Sequence, residues 1–498
     1  MGVLIGLDIL ILTALILLLT ASCRLYQKRK LYRNVTSKLP TLYGIPFIGV
    51  TYKILDVNNF YQKVSLGFDS IKKLTGCVWV GTTPYIFTVD PEVIKHVVSS
   101  PEFLDKAKDL YKHFQNGIIN GLILSPVKKW KSDRKALRPF LAHKNLTQLI
   151  SYFNDNANNV NNKLAGLAER GEQDIFTIIK KCGLQLSLLT IMGIKVDESS
   201  EKYCNMMQTF NDYFDHMAVD MFLGLLGLRC LSRTPNYKRV LKYLQNLVRS
   251  LIKENLSQKL ESEDVNNFLD DKQWMIELAL KAVRRGVFSE KDVEIECFTM
   301  IAASYDTSVT AAYTALVTLA MHPEMQERVF QEIQSVFPDG VTSVEYDDMK
   351  KLPYLDMFIA EVMRLSPPIP YIGRQAAQDT ELCPGVTIPK GMQVAIPIYE
   401  LHRRKEIWGP NANRFNPDNF LPENIAKRHP FSYMPFSKGP RNCIGFRYAE
   451  ISLRIILIHA VRNLKFSTNF KYEDVVHVPN ITLGFRRQPR VSIKVRSN

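Results

Sequence analysis

The hydrophobic pattern of the chain begins with an almost wholly apolar run from Val3 to Cys23, in which Asp8 is the one charged position. A cluster of basic residues follows it: Arg24, Lys28, Arg29, Lys30 and Arg33. About 20 apolar residues are enough to cross a bilayer, so the pattern predicts a membrane-spanning helix. The basic cluster places its C-terminal side in the cytosol and its N-terminus in the lumen.

A cleaved signal peptide is the alternative to a retained anchor. No basic segment precedes the apolar run, and the run is longer than the apolar core of a typical signal peptide. Both features favour a retained anchor over residues 1–23. Beyond the basic cluster, Pro40, Gly44 and Pro46 predict a non-helical segment.

The spacing of apolar residues in the rest of the chain is mostly helical. Residues 145–285 predict amphipathic helices with few helix breakers, whereas residues 76–90 alternate around Gly81 and Pro84 and predict a β-hairpin. Trp130 and Arg134 are four residues apart and share one face of a short helix. On spacing alone they form either an ordinary surface pair or part of a binding site.

The longest predicted helix runs from Glu290 to His322. Ser289 and Asp292 form a capping-box pattern with aspartate in place of the usual glutamate, and a proline follows the helix. Such a helix is about 50 Å long and must cross the whole domain. Asp306 at its midpoint would lie deep inside the protein, where a carboxylate is unfavourable unless it is paired or functional.

The composition fits a large globular body, with 46% hydrophobic and 10% aromatic residues among 498. Length alone predicts about three domains. The eight cysteines form no Cys-x-x-Cys pair, which predicts that most are reduced and buried in a cytosolic body. The net charge of +15 accompanies no nucleic-acid motif, so it fits an anionic membrane surface and an acidic electron donor better than nucleic acid.

One cysteine lies in a distinctive loop from Phe436 to Gly445. Gly439 and Gly445 provide conformations and clearances that a β-carbon would block, which suits a chain passing close to a flat group. Arg441 presents a fork of donors for a carboxylate, and Phe436 is placed to cover the Cys443 sulfur. A buried thiolate needs a positive partner such as an iron ion. A lone cysteine is otherwise most often a small buried hydrophobic residue.

The spacing Phe-x-x-Gly-x-Arg-x-Cys-x-Gly in this loop resembles the haem-ligand loop of the cytochrome P-450 superfamily. The resemblance extends from about residue 39 to the C-terminus. It implies a mainly α fold with small β-sheets (α+β) and one haem-thiolate catalytic domain over residues 51–498. A transmembrane anchor over residues 1–23 and a basic, proline-containing hinge over residues 24–50 would precede that domain.

The resemblance also implies roles for individual residues. Cys443 would be the axial ligand of the iron of haem b, held otherwise without a covalent bond, and Phe436, Gly439 and Gly445 would shape the loop around it. Asp306 and Thr307 would assist proton delivery beside bound dioxygen. The residues that would hold the haem propionates are Trp130, Arg134, Arg374 and Arg441.

Three positions depart from the pattern of the family. Ser304 stands where glycine is usual, so its side chain would narrow the oxygen pocket or add a hydroxyl to it. Ala303 cannot form the haem ester that a glutamate forms in some fatty-acid hydroxylases. Asn419 stands where an arginine would join Glu361 and Arg364, a helical pair expected to brace the cysteine loop, so a fully charged triad is not expected.

The predicted function is that of a monooxygenase of the endoplasmic reticulum membrane, similar to insect members of the fatty-acid hydroxylase clan. It would take electrons from NADPH through cytochrome P-450 reductase, with cytochrome b5 as a second candidate donor. It would insert one oxygen atom of O2 into a lipophilic substrate, namely a fatty acid, a hormone-like lipid or a xenobiotic. The alternatives are a haem-thiolate isomerase or dehydratase and a non-catalytic haem protein. The apolar stretch Met217–Leu228 is either core or a lid over the substrate cavity.

Overall fold

Most of the chain folds into helices, and the strands are short. The computed structural model describes residues 2–115, 121–261, 274–337 and 343–496. The helices within these ranges are α1 (Gly2–Leu31), α2 (Arg33–Thr36), α3 (Thr51–Ile54), α4 (Phe60–Ile71), α5 (Pro91–Ser99), α6 (Lys112–Gln115), α7 (Val127–Leu137), α8 (His143–Gln148), α9 (Ile150–Ala165), α10 (Phe176–Met192), α11 (Glu201–Leu225), α12 (Pro235–Glu261), α13 (Met275–Arg284), α14 (Glu290–Met321), α15 (Pro323–Val336), α16 (Pro353–Leu365), α17 (Ile398–Leu401), α18 (Lys405–Trp408), α19 (Pro422–Ala426) and α20 (Phe446–Asn463). The strands are β1 (Thr41–Leu42), β2 (Thr75–Val80), β3 (Thr83–Thr88), β4 (Asp105–Lys106), β5 (Ile372–Gln375), β6 (Thr380–Cys383), β7 (Val386–Ile388), β8 (Gln393–Ile396), β9 (Leu464–Ser467), β10 (His477–Val478), β11 (Gly484–Phe485) and β12 (Ser492–Val495). The predicted fold class, mainly α with small sheets, is confirmed.

The N-terminal helix α1 contains the apolar run of the sequence. An 18-residue window of the span Ile9–Leu31 has a mean hydropathy of 2.1, and only 6% of that window is buried. Within the described ranges it is the one helix long and apolar enough to cross a membrane. Exposed apolar surface of this extent suggests a membrane anchor. The helix continues past residue 23 to Leu31, and three basic residues lie in its last turn.

The segment after α1 packs against the body of the protein. Val35 and Leu39 are buried. Strand β1 pairs in parallel with β2, with Thr41 opposite Cys77 and Leu42 opposite Val78. The residues predicted as a hinge therefore include a strand of the largest sheet.

The largest sheet has six strands in the order β1-β2-β3-β8-β5-β4. Strands β2 and β3 are antiparallel and form the hairpin predicted over residues 76–90. At the far edge β4 pairs antiparallel with β5, and Lys106 lies opposite Arg374. This edge brings two cations together from distant parts of the chain.

The long helix α14 runs through the main hydrophobic core. Ser289 and Asp292 form the predicted capping box, and the helix ends at Met321, with His322 as its C-cap. Helices α10, α13, α16 and α20 pack against it. Twenty of its side chains are fully buried, so the prediction that this helix passes through the interior is confirmed.

The eight cysteines are all free, in agreement with the absence of a disulfide framework. The prediction that most of them are buried is wrong, because only Cys77, Cys182 and Cys297 are fully buried. Cys383 is partly exposed. The exposed cysteines lie on α1, on or just after α11, and on the wall of an internal cavity; they are Cys23, Cys204, Cys230 and Cys443.

Glu361 and Arg364 form a buried ion pair on α16. Two parallel hydrogen bonds join them, from Nε to Oε2 at 2.6 Å and from Nη2 to Oε1 at 2.7 Å, and both side chains are 0% exposed. Arg364 Nη1 also donates to the carbonyls of His402 and Ala412 at 2.7 and 2.6 Å. The pair therefore ties α16 to two later segments of the chain.

Asn419 takes the third place in this network as a neutral donor. Its Nδ2 donates to Glu361 Oε1 at 3.1 Å, and the Asn416 backbone N–H donates to the same oxygen at 2.7 Å. Burial raises the pKa of Glu361, while Arg364 and the two asparagine donors oppose the shift. The network thus contains the expected pair without the arginine that the family pattern places at position 419.

Arg428 supplies a second cation beside this pair. Its guanidinium lies 4.3 Å from the centre of the Trp408 ring and donates to the carbonyl of Asn419. Burial and Arg364 lower the pKa of Arg428, and the negative charge of Glu361 opposes them. Arg428 lies outside the matched motif, so the sequence did not predict it.

His402 connects the buried pair to the cysteine loop. The Met434 backbone N–H donates to His402 Nε2 at 3.0 Å, so Nδ1 carries the proton and donates to the Arg364 carbonyl at 3.1 Å. Burial lowers the pKa of His402 to about 3, which keeps the ring neutral. Met434 is two residues before Phe436, so the pair braces the start of the loop.

We expect Arg364→Ala to destabilise the protein far more than Asn419→Ala. Arg364→Ala leaves the Glu361 carboxylate buried without its cation, which costs about 3–5 kcal/mol. Asn419→Ala removes one of several donors to the same carboxylate, which costs about 1 kcal/mol. Urea unfolding of the purified variants measures both losses.

Asp356→Asn on the same helix is the control, because it breaks a half-exposed ion pair with Arg454 and costs about 0–1 kcal/mol. Equal losses for Arg364→Ala and Asn419→Ala would contradict the role of the buried pair.

Candidate active site

The loop from Phe436 to Gly445 makes a tight turn. The Cys443 backbone N–H donates to the Phe436 carbonyl at 2.9 Å, which closes the loop at its base. Ser437 and Gly439 adopt positive φ angles of 60° and 76°. A β-carbon at Gly439 would lie 2.0 Å from the Val98 carbonyl oxygen. The need for glycine at position 439 therefore follows from both its backbone conformation and a close contact.

At Gly445, by contrast, no described protein atom accounts for the predicted need for clearance. Gly445 has a φ of −91° and lies at the N-cap of α20. A β-carbon there would meet no heavy atom within 4 Å. The described protein atoms thus do not exclude a side chain at position 445, which lines the cavity.

The cysteine loop forms one wall of an internal cavity of about 450 Å³. Helix α14 forms another wall with residues 299–308, and helix α7 contributes Trp130 and Arg134. Residues 368–372 and the 481–482 turn complete it. Both residues of that turn, Ile481 and Thr482, line the cavity. The predicted site residues that line this cavity are Trp130, Arg134, Asp306, Thr307, Phe436, Arg441, Cys443 and Gly445. Arg374 is not among the lining residues, but it lies two residues after Ile372, which is.

Cys443 faces the cavity, and its side chain is exposed to that space rather than packed against protein. Burial raises the pKa of the thiol. The backbone N–H of Gly445 and the positive charges of Arg134 and Lys106 lower it. A cation within the cavity would lower the pKa of this thiol further and hold the sulfur as a thiolate.

Arg441 is buried beside Trp130 and has one unused donor. Its Nε donates to the Leu104 carbonyl at 3.0 Å and its Nη2 to the Ser125 carbonyl at 2.7 Å. The guanidinium lies 4.6 Å from the centre of the Trp130 ring. Nη1 is buried and has no hydrogen-bond partner. Burial lowers the pKa of Arg441 to about 10, with Arg374 acting in the same direction.

Arg374 is the second buried arginine with an unused donor. Its Nη1 donates to the Gly373 carbonyl at 3.0 Å, whereas Nη2 is buried without a partner. Lys106 lies opposite it on β4. Burial lowers the pKa of both residues, and for Lys106 the nearby charges of Arg374 and Arg441 add to the shift. Like charges directly opposite each other in a sheet are destabilising.

Arg134 joins α7 to the cysteine loop. Its Nη1 and Nη2 donate to the backbone carbonyl and side-chain oxygen of Asn442 at 2.9 and 2.6 Å. Among the residues that the structure describes, no carboxylate forms an ion pair with any of the four cations Lys106, Arg134, Arg374 and Arg441. Their acceptors are neutral, so the local charge is left positive.

Asp306 and Thr307 lie on the part of α14 that lines the cavity. Burial raises the pKa of Asp306, while a hydrogen bond from the Thr482 hydroxyl and the charge of Lys180 lower it. Thr307 Oγ1 donates to the Ala303 carbonyl at 2.7 Å. Its oxygen retains the capacity to accept a hydrogen bond from a group in the cavity.

The Ser304 hydroxyl contacts a neighbouring helix. Its oxygen lies 2.9 Å from Ser187 Oγ on α10 and 3.2 Å from the Ile301 carbonyl. Ser304 still borders the cavity, but its polar atom is engaged with α10.

Three contacts at the cavity, made by Lys106, Thr482 and His113, were not found from the sequence. Lys106 belongs to no sequence motif, and only the β4–β5 register places it opposite Arg374. Thr482 acts on Asp306 from a turn distant in sequence. His113 on α6 lines the cavity as a neutral ring, because burial lowers its pKa to about 3. The signal for each is a tertiary contact, which a single sequence does not contain.

Comparison with known proteins gives one family. The model of the family described as Cytochrome P450 matches residues 39–489. Probable cytochrome P450 313a1 of Drosophila melanogaster is 34% identical over 484 residues, covering 95% of this chain and 96% of that protein. Probable cytochrome P450 313a4 of the same species is 33% identical over 479 residues, with 95% and 96% covered. Cytochrome P450 4c21 of Blattella germanica is 30% identical over 466 residues, with 90% and 91% covered.

The match extends over nearly the whole described body, including the cysteine loop, the long helix and the Glu361–Arg364 pair. The relatives are insect proteins that bear the same family name. The chain therefore belongs to the cytochrome P450 superfamily of haem-thiolate monooxygenases and is similar to its insect members.

Proposed function

We propose that this chain oxidises a lipophilic substrate with Cys443 as the axial ligand of a haem iron. The observation that carries the proposal is the cavity at which this sulfur meets Lys106, Arg134 and Arg441, with Arg374 opposite Lys106 on the neighbouring strand. None of these four cations has a carboxylate partner among the described residues. Bound haem supplies the activation of O2 and the insertion of one oxygen atom into a C–H bond. The protein supplies binding, orientation and control of charge.

The donor set fits the group. Haem carries two carboxylates, and Arg374 Nη2 and Arg441 Nη1 are buried donors without partners. Trp130 packs against Arg441 and holds its guanidinium plane. Arg134 is bound to the loop that carries Cys443. In this proposal Trp130, Arg134, Arg374 and Arg441 bind the propionates.

Residues at the cysteine loop support a ligating thiolate. Gly445 offers its backbone N–H to the sulfur, and helix α20 starts at the next residue with its partial positive charge. Gly439 permits the turn, and Phe436 lines the same cavity. The open space at Gly445 suits the close approach of a flat group.

Asp306 and Thr307 are the proposed proton-handling groups. A carboxyl whose pKa is raised by burial exchanges protons more readily near neutral pH than an exposed aspartate. Thr482 donates to that carboxyl, and its hydroxyl is 3.3 Å from that of Thr310, so hydroxyl groups surround it. Thr307 borders the cavity one residue further along the helix.

The walls of the cavity favour a lipophilic substrate. Apolar residues from several elements line it, namely Phe114, Leu122, Ile123, Phe214, Ile369 and Ile481. We assign the substrate to the class of fatty acids, hormone-like lipids or lipophilic xenobiotics. Product analysis of the purified chain with reductase, NADPH and a panel of such compounds tests the assignment.

The C-terminal part of α11 is proposed as part of a lid. Met217 and Met221 are buried, whereas Leu226 and Leu228 are exposed, so the stretch is core at one end and surface at the other. The Tyr371 hydroxyl contacts Met221 Sδ at 2.8 Å and joins α11 to the cavity wall. Movement of this end would open the cavity.

The proposed setting is the endoplasmic reticulum membrane, with residues 1–23 as the anchor, residues 24–50 as the hinge and residues 51–498 as the catalytic domain in the cytosol. The exposed apolar surface of α1 and the basic residues in its last turn support this arrangement. The proposed electron donor is NADPH–cytochrome P-450 reductase, with cytochrome b5 as a second donor. Turnover without reductase would instead support an isomerase or dehydratase.

We expect Cys443→Ser to abolish the red-shifted Soret band of the reduced, carbon-monoxide-treated protein, because that band requires a thiolate ligand. Absorption spectra of wild type and variant measure the effect. Cys204→Ser is the control, since Cys204 is exposed on α11, and it should keep the band. A wild type without the band, or a Cys443→Ser variant that retains it, would refute the proposed ligand.

We expect Arg374→Met to have opposite effects on the haem-free and haem-bound protein. Removing a buried cation without a carboxylate partner should stabilise the haem-free protein by about 1–4 kcal/mol. Losing a charge-assisted bond to a propionate should speed haem loss by about tenfold to a hundredfold. Thermal unfolding and transfer of haem to excess apomyoglobin measure the two effects.

Arg374→Lys is the matched variant, because it keeps the charge and removes the planar fork. It should lose haem faster than wild type without gaining stability in the haem-free state. If both variants lose haem as slowly as the wild type, Arg374 does not bind a propionate.

We expect Asp306→Asn and Thr307→Ala to divert electrons from product to peroxide. A positioned acid or base contributes roughly 10²–10⁴-fold to a proton-transfer step, so product per NADPH should fall by about tenfold or more. NADPH consumption and peroxide release with a lipid panel measure the split. Glu201→Gln, at an exposed position at the start of α11, is the control and should leave the ratio near that of wild type. Unchanged ratios in both test variants would contradict the assigned roles.

A further inference from the structure

Glu296 is a buried glutamate on α14, eight residues before Ser304 and ten before Asp306. Its side chain is 1% exposed. Its Oε2 accepts a hydrogen bond from the Leu122 backbone N–H at 3.1 Å. A β-carbon at Gly121 would lie 2.6–2.7 Å from the carboxylate atoms. Glu296 therefore packs directly on the backbone of the segment 121–125, which precedes α7.

The segment 121–125 is a compact turn held by two residues of the long helix. The Leu124 and Ser125 backbone N–H groups donate to the Gly121 carbonyl at 2.9 and 3.0 Å. The Gly121 N–H donates to Thr299 Oγ1 at 3.3 Å. Because Glu296 and Thr299 are three residues apart, they lie on one face of α14 and grip the start of the turn together.

The other end of this turn holds Arg441. The Ser125 carbonyl accepts the bond from Arg441 Nη2 at 2.7 Å. The Ser125 hydroxyl lies 3.0 Å from the Gly121 carbonyl and 3.3 Å from Asp133 Oδ2 on α7. The turn thus fixes the orientation of the guanidinium whose Nη1 is free.

We propose that Glu296 is a positioning residue, which fixes the turn 121–125 on α14 and through it orients Arg441 toward a carboxylate of the haem. The inference rests on the proposed haem-binding function. Glu296 does not line the cavity, whereas Leu122 and Ile123 of the turn do. Loss of its carboxylate would leave the Leu122 N–H buried without its acceptor and free the turn to shift.

The charges around Glu296 agree with this role. Asp133, Lys129, Asp292 and Cys297 are its titratable neighbours. Lys129 forms its ion pairs with Asp133 and Asp292, and Glu296 forms none among the described residues. Burial raises the pKa of Glu296 to about 7, and the Leu122 N–H is the largest influence in the opposite direction. The backbone of the turn is therefore the principal partner of this carboxyl.

The test compares Glu296→Ala, Glu296→Gln and Glu294→Ala in the full-length, haem-loaded protein. Glu296→Gln keeps an acceptor of nearly the same shape. Glu294→Ala removes a partly exposed carboxylate of the same helix α14, which pairs with Arg249 of α12. The two measurements are amide hydrogen exchange in residues 121–125 and the rate of haem transfer to excess apomyoglobin. We expect Glu296→Ala to raise both by about tenfold, and the other two variants to stay within about threefold of wild type.

A combination of variants separates positioning from general destabilisation. In an Arg441→Lys background, Glu296→Ala should accelerate haem transfer much less than in wild type, because both changes disturb the same contact. Gly121→Ala should reproduce the effect of Glu296→Ala through its close contact, and the double variant should be no worse than Glu296→Ala alone. Additive effects in both combinations would overturn the inference.

The inference and the proposed function can fail separately. If the wild type shows the thiolate Soret band but Glu296→Ala exchanges and loses haem like Glu294→Ala, the role of Glu296 is wrong and the function stands. If the wild type lacks the band, the function fails, and so does the role in haem orientation, while the exchange data still report the contact with the turn. If Glu296→Ala does not fold, faster exchange at residues 121–125 in Gly121→Ala supports the inference and wild-type exchange there overturns it.

Discussion

Four buried or half-buried cations that face one another without carboxylate partners impose the main constraint on this structure. Lys106 lies opposite Arg374 across two strands, and burial lowers the pKa of each of the four. Burying a charge is unfavourable unless it is paired. The fold lessens the penalty with neutral acceptors, the carbonyls of residues 104, 125, 373 and 442. What remains is positive charge beside a cavity, and an anionic occupant would offset the penalty of burying it.

The same charge also governs the cysteine. Arg134 and Lys106 lower the pKa of the Cys443 thiol against the effect of burial, so the site favours an anionic sulfur as well as carboxylates. Asp306 responds instead to Thr482, Lys180 and Asp215. This acid is kept in a separate network, and a carboxylate paired with Arg374 or Arg441 would neutralise the cations that are proposed to bind the propionates.

The sequence predicted those parts of the site that depend on local spacing. The loop around Cys443, the pair of Trp130 and Arg134 on one helix, and the capping box before α14 are all set within a few residues of one another. Lys106 was missed because only strand register brings it to Arg374. No described protein atom would meet a β-carbon at Gly445, so the clearance expected there for a flat group stays a prediction. The prediction that most cysteines are buried was wrong, because burial depends on tertiary packing.

The departures from the family pattern show how such nonlocal contacts absorb substitutions. Asn419 lacks the charge of arginine, and Arg428 lies beside it with its guanidinium over Trp408 and under the influence of Glu361. Ser304 adds a hydroxyl to α14, and Ser187 on α10 engages it at 2.9 Å. An unpaired hydroxyl in a buried helix contact is unfavourable. The hydrogen bond with Ser187 satisfies the Ser304 hydroxyl and directs it toward α10. Each substitution is therefore compatible with an intact site because a residue from another element compensates for it.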